Sequence, residues 1–173
     1  MKYILPAAVA MTALMAAPAA VAQSSYFEGG YKAQAFSADD LNFDFDLGAI
    51  YGRYGYDFTE NFAVEGELGY GIVSEDLGGG ADLKGLTTGG IYGKAGLPLG
   101  ERVNIFARAG LGFQELEVSG VGADTFGSEN GFAFGGGLSV DLNDTTYIRA
   151  DYTRLTLDGV DLDEIGVSIG FRF

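Results

Sequence analysis

Glu65 and Glu67, two residues apart in Glu-Gly-Glu-Leu-Gly-Tyr, are the pair whose type and spacing first invite a chemical reading. Two carboxylates on one face are the acid and base of glycoside hydrolysis. Basic residues share their phase, however: Arg53, Lys94, Arg108 and Arg149 stand at the same polar positions of their own segments, with Asp151 beside them. A carboxylate next to guanidinium and ammonium groups is an ion-pair partner before it is a catalyst. Other motifs carry less. Gly120-Val121-Gly122 has no βαβ unit around it to make a dinucleotide loop. The acids from Asp158 to Glu164 offer hard oxygens to a cation but lack the calcium-loop spacing, so they read as a solvated acidic loop. Asn143-Asp144-Thr145 matches a glycosylation sequon but falls in a tight turn. Neither histidine nor cysteine occurs in the 173 residues. That removes the commonest general base, thiolate ligands and any disulfide framework. The chain is read as a non-enzyme with no catalytic residues, no metal and no cofactor.

The elements that must hold these charges announce themselves at the carboxyl terminus. In Gly166-Val-Ser-Ile-Gly-Phe-Arg-Phe173, large apolar residues occupy every second position. Alternate residues of a β-strand face opposite sides, so one side of this strand is oily and the other small or polar. Free in water, such a terminal strand would be an aggregation hazard. Facing lipid and closing a barrel, it is satisfied.

The amino terminus predicts export. Met1-Lys2 is a basic start, Ile4 to Val21 an apolar run broken by prolines, and Ala20-Val21-Ala22 a small-x-small cleavage site. Residues 1–22 read as a secretory signal peptide, leaving a barrel domain at 23–173. With Lys2 removed, 9 basic residues face 24 acidic ones, a net charge of −15 that argues against nucleic acid as a partner. Glycine at 29 of 173 positions is far above the usual ~7% and is scattered through apolar stretches, unlike a linker. No later apolar run reaches the about 18 residues of a membrane helix.

Eight strand-like segments follow, near 26–36, 44–58, 62–73, 86–98, 103–115, 130–142, 146–155 and 163–173. Each is long enough to cross a bilayer as a tilted strand. Short connections at 59–61, 99–102 and 143–145 alternate with longer loops rich in Gly, Asp, Ser and Glu. That sorting predicts an all-β, eight-stranded antiparallel up-and-down transmembrane β-barrel of the bacterial outer-membrane kind. Phase decides which face meets lipid. Phe62, Val64, Leu68 and Tyr70 oppose Glu65 and Glu67, and Ile105, Ala107 and Leu111 oppose Arg108. One Arg or Lys on the lipid face near the midplane costs about 2–4 kcal/mol. Reversing the phase would expose Lys94, Arg108 and Arg149, about 6–12 kcal/mol, which rivals the stability of a whole domain. The apolar face is therefore outside. In the second segment Phe43, Phe45 and Leu47 stand out of phase with Ile50 and Tyr54, which predicts a bulge or an extension above the membrane. Aromatics at segment ends predict two interfacial belts, the lower with Tyr26, Phe27, Tyr56, Phe58, Phe62, Phe171 and Phe173, the upper with Phe36, Tyr70, Phe113, Phe132 and Tyr152. Inside, Lys32, Arg53, Lys94, Arg108, Arg149 and Arg172 lie among Glu28, Glu65, Glu67, Asp141 and Asp151, so a salt-bridge network is expected to take the place of an apolar core.

Tyr92-Gly-Lys94-Ala-Gly-Leu-Pro98-Leu-Gly-Glu-Arg-Val-Asn-Ile-Phe-Ala-Arg108-Ala-Gly110, Glu65-Gly-Glu67-Leu-Gly-Tyr70 and Tyr147-Ile-Arg149-Ala-Asp151-Tyr152 resemble strands of the outer membrane protein A barrel and its relatives, the small outer-membrane β-barrel family. The resemblance spans nearly the whole mature chain and is weakest in the loops. It implies a luminal gate of exchanging salt bridges at Glu67, Lys94 and Arg149. Ser139 stands where the family carries a second gate acid, with Asp141 and Asp151 as the acids that could replace it. Phe171-Arg172-Phe173 resembles the terminal signature read by the barrel assembly machinery. The periplasmic peptidoglycan-binding domain of larger relatives is not expected here. The expected function is an integral outer-membrane protein with a structural or surface-interaction role, its partners being outer-membrane lipid and lipopolysaccharide, and its state a monomer. The alternative is a narrow, porin-like passive channel for ions or small solutes.

Overall fold

Alternation of period two can bury one side-chain set and present the other only if the strands find partners on both edges. The computed structural model describes residues 24–37, 47–71, 81–120, 125–157 and 161–173. The expected signal peptide with Ala20 and Ala22, Phe43, Phe45 and the tip of the acidic loop at Asp158 lie outside the described residues. Eight strands run in chain order: β1 Ser24–Ser37, β2 Leu47–Asp57, β3 Phe62–Gly71, β4 Ala81–Pro98, β5 Val103–Gly120, β6 Thr125–Asp141, β7 Thr146–Thr156 and β8 Asp161–Arg172. Each pairs antiparallel with its sequence neighbours, and β8 pairs with β1, so the sheet closes into a barrel. Ser25 N–H donates to the Phe173 carbonyl at 3.1 Å and Phe173 N–H to the Ser25 carbonyl at 2.9 Å, which draws the seam shut to the last residue.

A row of cross-strand partners from Tyr26 passes through Gly55, Glu65, Tyr92, Gly110, Ala133, Leu155 and Leu162 and returns to β1 at Phe36, ten residues higher. That stagger requires tilted strands and leaves an interior that side chains can fill. The phase is the one read from sequence. Val167 and Phe62 are more than half exposed on the outer surface, whereas Glu28, Glu65 and Arg53 are fully buried inside. Short turns close one end. Thr59 Oγ1 accepts from the amides of Asn61 and Phe62, Asn143 Oδ1 accepts from those of Thr145 and Thr146, and Gly100 takes φ +138° in the Leu99–Arg102 turn.

Two expectations need correction. Tyr26 does not join the lower belt: it is 1% exposed and points into the lumen, one residue out of phase with Phe27. Strands β4, β5 and β6 run further than expected, with β4–β5 pairing continuing to Ala81↔Gly120 and β5–β6 to Val118↔Thr125. Among the described residues the β3–β4 ladder runs to Tyr70↔Thr87 and the β6–β7 ladder to Phe132↔Thr156, and beyond those points β4, β5 and β6 continue as a three-stranded ribbon. Its residues do not keep the outward apolar phase of the wall: Leu116 and Val118 fall in the phase of inward Gln114, and Glu115 in that of outward Leu111, which a ladder outside the lipid band tolerates. The register irregularity falls in this ribbon, between Leu83 and Gly85, while β2 pairs without a break from Leu47 to Asp57.

Candidate functional site

The barrel interior is the site, and inward glycines make room for it. A Cβ on Gly55 would overlap the Tyr26 ring, and one on Gly170 would overlap the Tyr147 ring. Those two phenols form the floor at the short-turn end, their rings 6.2 Å apart and edge to face. The Tyr26 hydroxyl donates to Glu65 at 2.6 Å and accepts from Lys94 Nζ at 2.8 Å, and the Tyr147 hydroxyl donates to Glu28 at 2.7 Å.

Above the floor, Arg53 is the hub. Its Nε and Nη2 donate to Glu67 Oε2 at 2.9 and 2.6 Å, its Nη1 and Nη2 to Asp151 at 3.2 Å each, and its Nη1 also to Glu28. Arg108 donates to Glu67 at 2.8 Å and, through Nε and Nη2, to Thr153 Oγ1. Arg149 donates to Glu65 at 2.6 Å, to Asp151 at 3.0 Å and to Glu28 at 3.2 Å. Higher still, Lys32 Nζ lies between Glu67 at 3.1 Å and Glu164 at 2.9 Å, and Gln34 donates to the same Glu164. An apolar group of Tyr92, Ala133, Leu155, Leu157 and Leu162 packs at the far end. Each guanidinium of the network also lies over a ring: Arg149 over Phe106 at 3.9 Å, Arg108 over Tyr92 at 4.2 Å and Arg53 over Tyr51 at 5.0 Å.

Charge balances within this set. Glu28, Glu65, Glu67, Asp151 and Glu164 face Lys32, Arg53, Lys94, Arg108 and Arg149, five against five. A neutral, mutually bonded set is the condition under which ions can be buried at all. Its carboxylates are spent on cations and hydroxyls, and among the described residues no group of three or more His, Cys, Asp or Glu side chains could hold a metal ion.

All seven charged residues singled out from sequence, Glu65, Glu67, Arg53, Lys94, Arg108, Arg149 and Asp151, enter this assembly. The pairing differs from the one the family resemblance implies. Glu67 bonds Lys32, Arg53 and Arg108, and the acid between Lys94 and Arg149 is Glu65, at 3.7 and 2.6 Å. Asp141 is not in the network; it meets Arg172 at 2.8 Å on the rim. Ser139 lies beside Arg149 in the β6–β7 register. Phe171 and Phe173 project outward at the seam. Three contributors were missed. Glu164 continues the inward alternation of Gly166 and Ser168, a signal hidden by its acidic neighbours. Tyr26 was assigned to the wrong face. On the outward phase of β8, Asp163 is fully buried beneath Arg154, which donates to it at 2.7 and 2.8 Å, and the Tyr152 hydroxyl, a pairing that depends on the β7–β8 register.

Below the floor a cavity of about 350 Å³ opens at the short-turn end, lined among others by Lys94, Asn104, Ser139 and Asp57.

A family model described as the outer membrane protein β-barrel domain matches residues 7–173. The crystal structure of Ail, the attachment invasion locus protein of Yersinia pestis, superposes with a TM-score of 0.69 at 20% identity, covering 88% of this chain and 100% of that one. Neisserial surface protein A gives 0.66 at 16% identity, covering 86% and 95%. The N-terminal barrel of Pseudomonas aeruginosa OprF gives 0.65 at 14%, covering 86% and 97%. At these identities the likeness is one of fold. No curated protein matches the chain in sequence.

Proposed function

This chain belongs to the outer membrane protein β-barrel domain family and so resides in the bacterial outer membrane, and from that premise we propose that it is a plugged barrel with a structural and surface-interaction role. The observation that carries the reading is the luminal network centred on Arg53, which ties acids of β1, β3 and β7 to one guanidinium. Its groups are engaged with one another, which favours packing over catalysis and over permeation. The eight-stranded interior leaves little space beside them.

The outward role rests on the opposite end. Segments 38–46, 72–80, 121–124 and 157–160 carry Asp39, Asp40, Asp44, Asp46, Glu75, Asp76, Asp124 and Asp158 and no lysine or arginine. In chain order these segments join strand ends opposite the short turns, the side turned to the medium by the rule that short turns are periplasmic. Ail was crystallised with the heparin analogue sucrose octasulfate. The acidic loops here would repel such a polyanion, so cationic surfaces suit this barrel better. We read residues 1–22 as the signal peptide, Phe171 and Phe173 as the signature met by the assembly machinery, lipopolysaccharide as the surrounding partner, and the protein as a monomer.

Planar-bilayer recording of the purified barrel tests the plug. The expected trace is silent at modest voltage. Stable openings that disappear on Arg149→Gln would instead support the narrow channel.

A further inference from the structure

The cavity at the short-turn end is polarised in a way that neither the plug nor the outer loops require. Its inner wall comes from neighbouring strands. Asn104 of β5, Ser139 of β6 and Arg149 of β7 stand in one row of cross-strand partners, and Lys94 of β4 reaches the same space. Lys94 is the least engaged of the luminal cations. Its ammonium donates to the Tyr26 hydroxyl at 2.8 Å, while its acids, Glu65 and Asp57, lie at 3.7 and 3.8 Å, outside hydrogen-bond range. An ammonium has three donors, and the Lys94 side chain is 19% exposed, toward this cavity. Arg149 is already bonded to Glu65, Glu28 and Asp151 and contributes field rather than a free donor. The hydroxyl of Ser139 and the carboxamide of Asn104 complete a donor-rich floor. The mouth is the reverse. Asp57, Glu60 and Asp141 line it, Asp57 accepting from Ser24 Oγ at 2.8 Å and Asp141 held by Arg172 at 2.8 Å.

We propose that this vestibule binds the carboxylate of a small periplasmic monoanion, seated on Lys94 with Ser139 and Asn104 as hydrogen-bond donors. The acids at the mouth repel an anion in proportion to its charge, so a singly charged one is penalised least. The volume, about 350 Å³, lies at the small end of ligand pockets and admits a small organic acid.

The test uses the whole barrel in lipid nanodiscs, with amide shifts of Gly96, Asn104 and Ser139 followed during titration with sodium acetate, sodium phosphate, sodium succinate and, as control, sodium chloride at matched ionic strength. Saturable shifts with acetate, weaker ones with phosphate and succinate and none with chloride are expected. Ser139→Asp, placing a like charge at the seat, should weaken acetate binding by roughly tenfold or more while the barrel keeps its heat-dependent gel mobility. Asn104→Ala, in wild-type charge, should weaken it a few-fold, and it decides the matter if Ser139→Asp does not fold. Linear shifts, an equal response to chloride, phosphate binding tighter than acetate, or acetate affinity indifferent to both substitutions would each overturn the assignment.

Discussion

Arg53→Met is the sharpest test of the luminal network. The side chain is 1% exposed and lies within 4 Å of Glu28, Glu65, Glu67 and Asp151. Methionine fills much of the volume and supplies no donor. The substitution leaves five luminal acids facing Lys32, Lys94, Arg108 and Arg149, one negative charge in excess, with Glu28 losing its closest guanidinium and Asp151 one of the two that donate to it. Removing one partner of a buried ion pair costs about 3–5 kcal/mol, mainly because the remaining charge is stranded. That is two to three and a half powers of ten, roughly, in the folded-to-unfolded ratio. With a urea dependence of about 2 kcal/mol per molar, the midpoint should fall by about 2 M. The assay is urea unfolding in phospholipid vesicles, read by loss of heat-dependent gel mobility. Arg53→Lys keeps the charge but loses the fork that spans Glu67 and Asp151, and should fall between wild type and Arg53→Met. The double variant Arg53→Met/Glu67→Gln should recover part of the loss, since the excess charge goes with Glu67. A midpoint for Arg53→Met within about 0.5 M of wild type would refute the reasoning, because it would mean that water, not the guanidinium, compensates these acids.

The two glycine environments predict opposite signs. Gly55→Ala drives a methyl into the Tyr26 ring and should cost about 1–3 kcal/mol, whereas at Gly66, on the lipid face with nothing within 4 Å, alanine should stabilise by about 0.5–1 kcal/mol; the same urea assay compares them. Ile91→Arg, on the outer surface of β4, should cost about 2–4 kcal/mol in vesicles, and no loss there would argue that lipid does not surround that face. Deleting Phe173 removes both seam hydrogen bonds to Ser25 and the last exposed aromatic, and should lower the amount recovered in outer-membrane fractions; wild-type levels would show that the terminal residue is dispensable for assembly.

Most of the barrel was legible in the chain because a membrane-spanning strand leaves few choices. Side-chain period is two, each lipid-facing position must be apolar, and charge on that face is too costly to tolerate. Strand number, the short turns and the inward phase of Glu65, Glu67, Arg108 and Arg149 follow from local pattern alone. Strand ends above the lipid did not, because the β4–β6 ribbon is held by backbone bonds that any residue other than proline can make.

The pairing inside the lumen belongs to the tertiary structure. Sequence determined that basic and acidic side chains share the interior, since each sits opposite an apolar neighbour. It did not determine that Glu65, rather than Glu67, lies between Lys94 and Arg149, or that Glu67 collects Lys32, Arg53 and Arg108. Those partners come from strands far apart in the chain, and the ten-residue stagger sets which of them stand level across the lumen. Tyr26 shows the same division: an aromatic near a strand end fits a belt by composition, but Gly55 on the next strand opens the space that holds its ring inside. Alternation along one strand is a local property that the chain carries by itself; contact across a closed cylinder exists only once the eight strands have met.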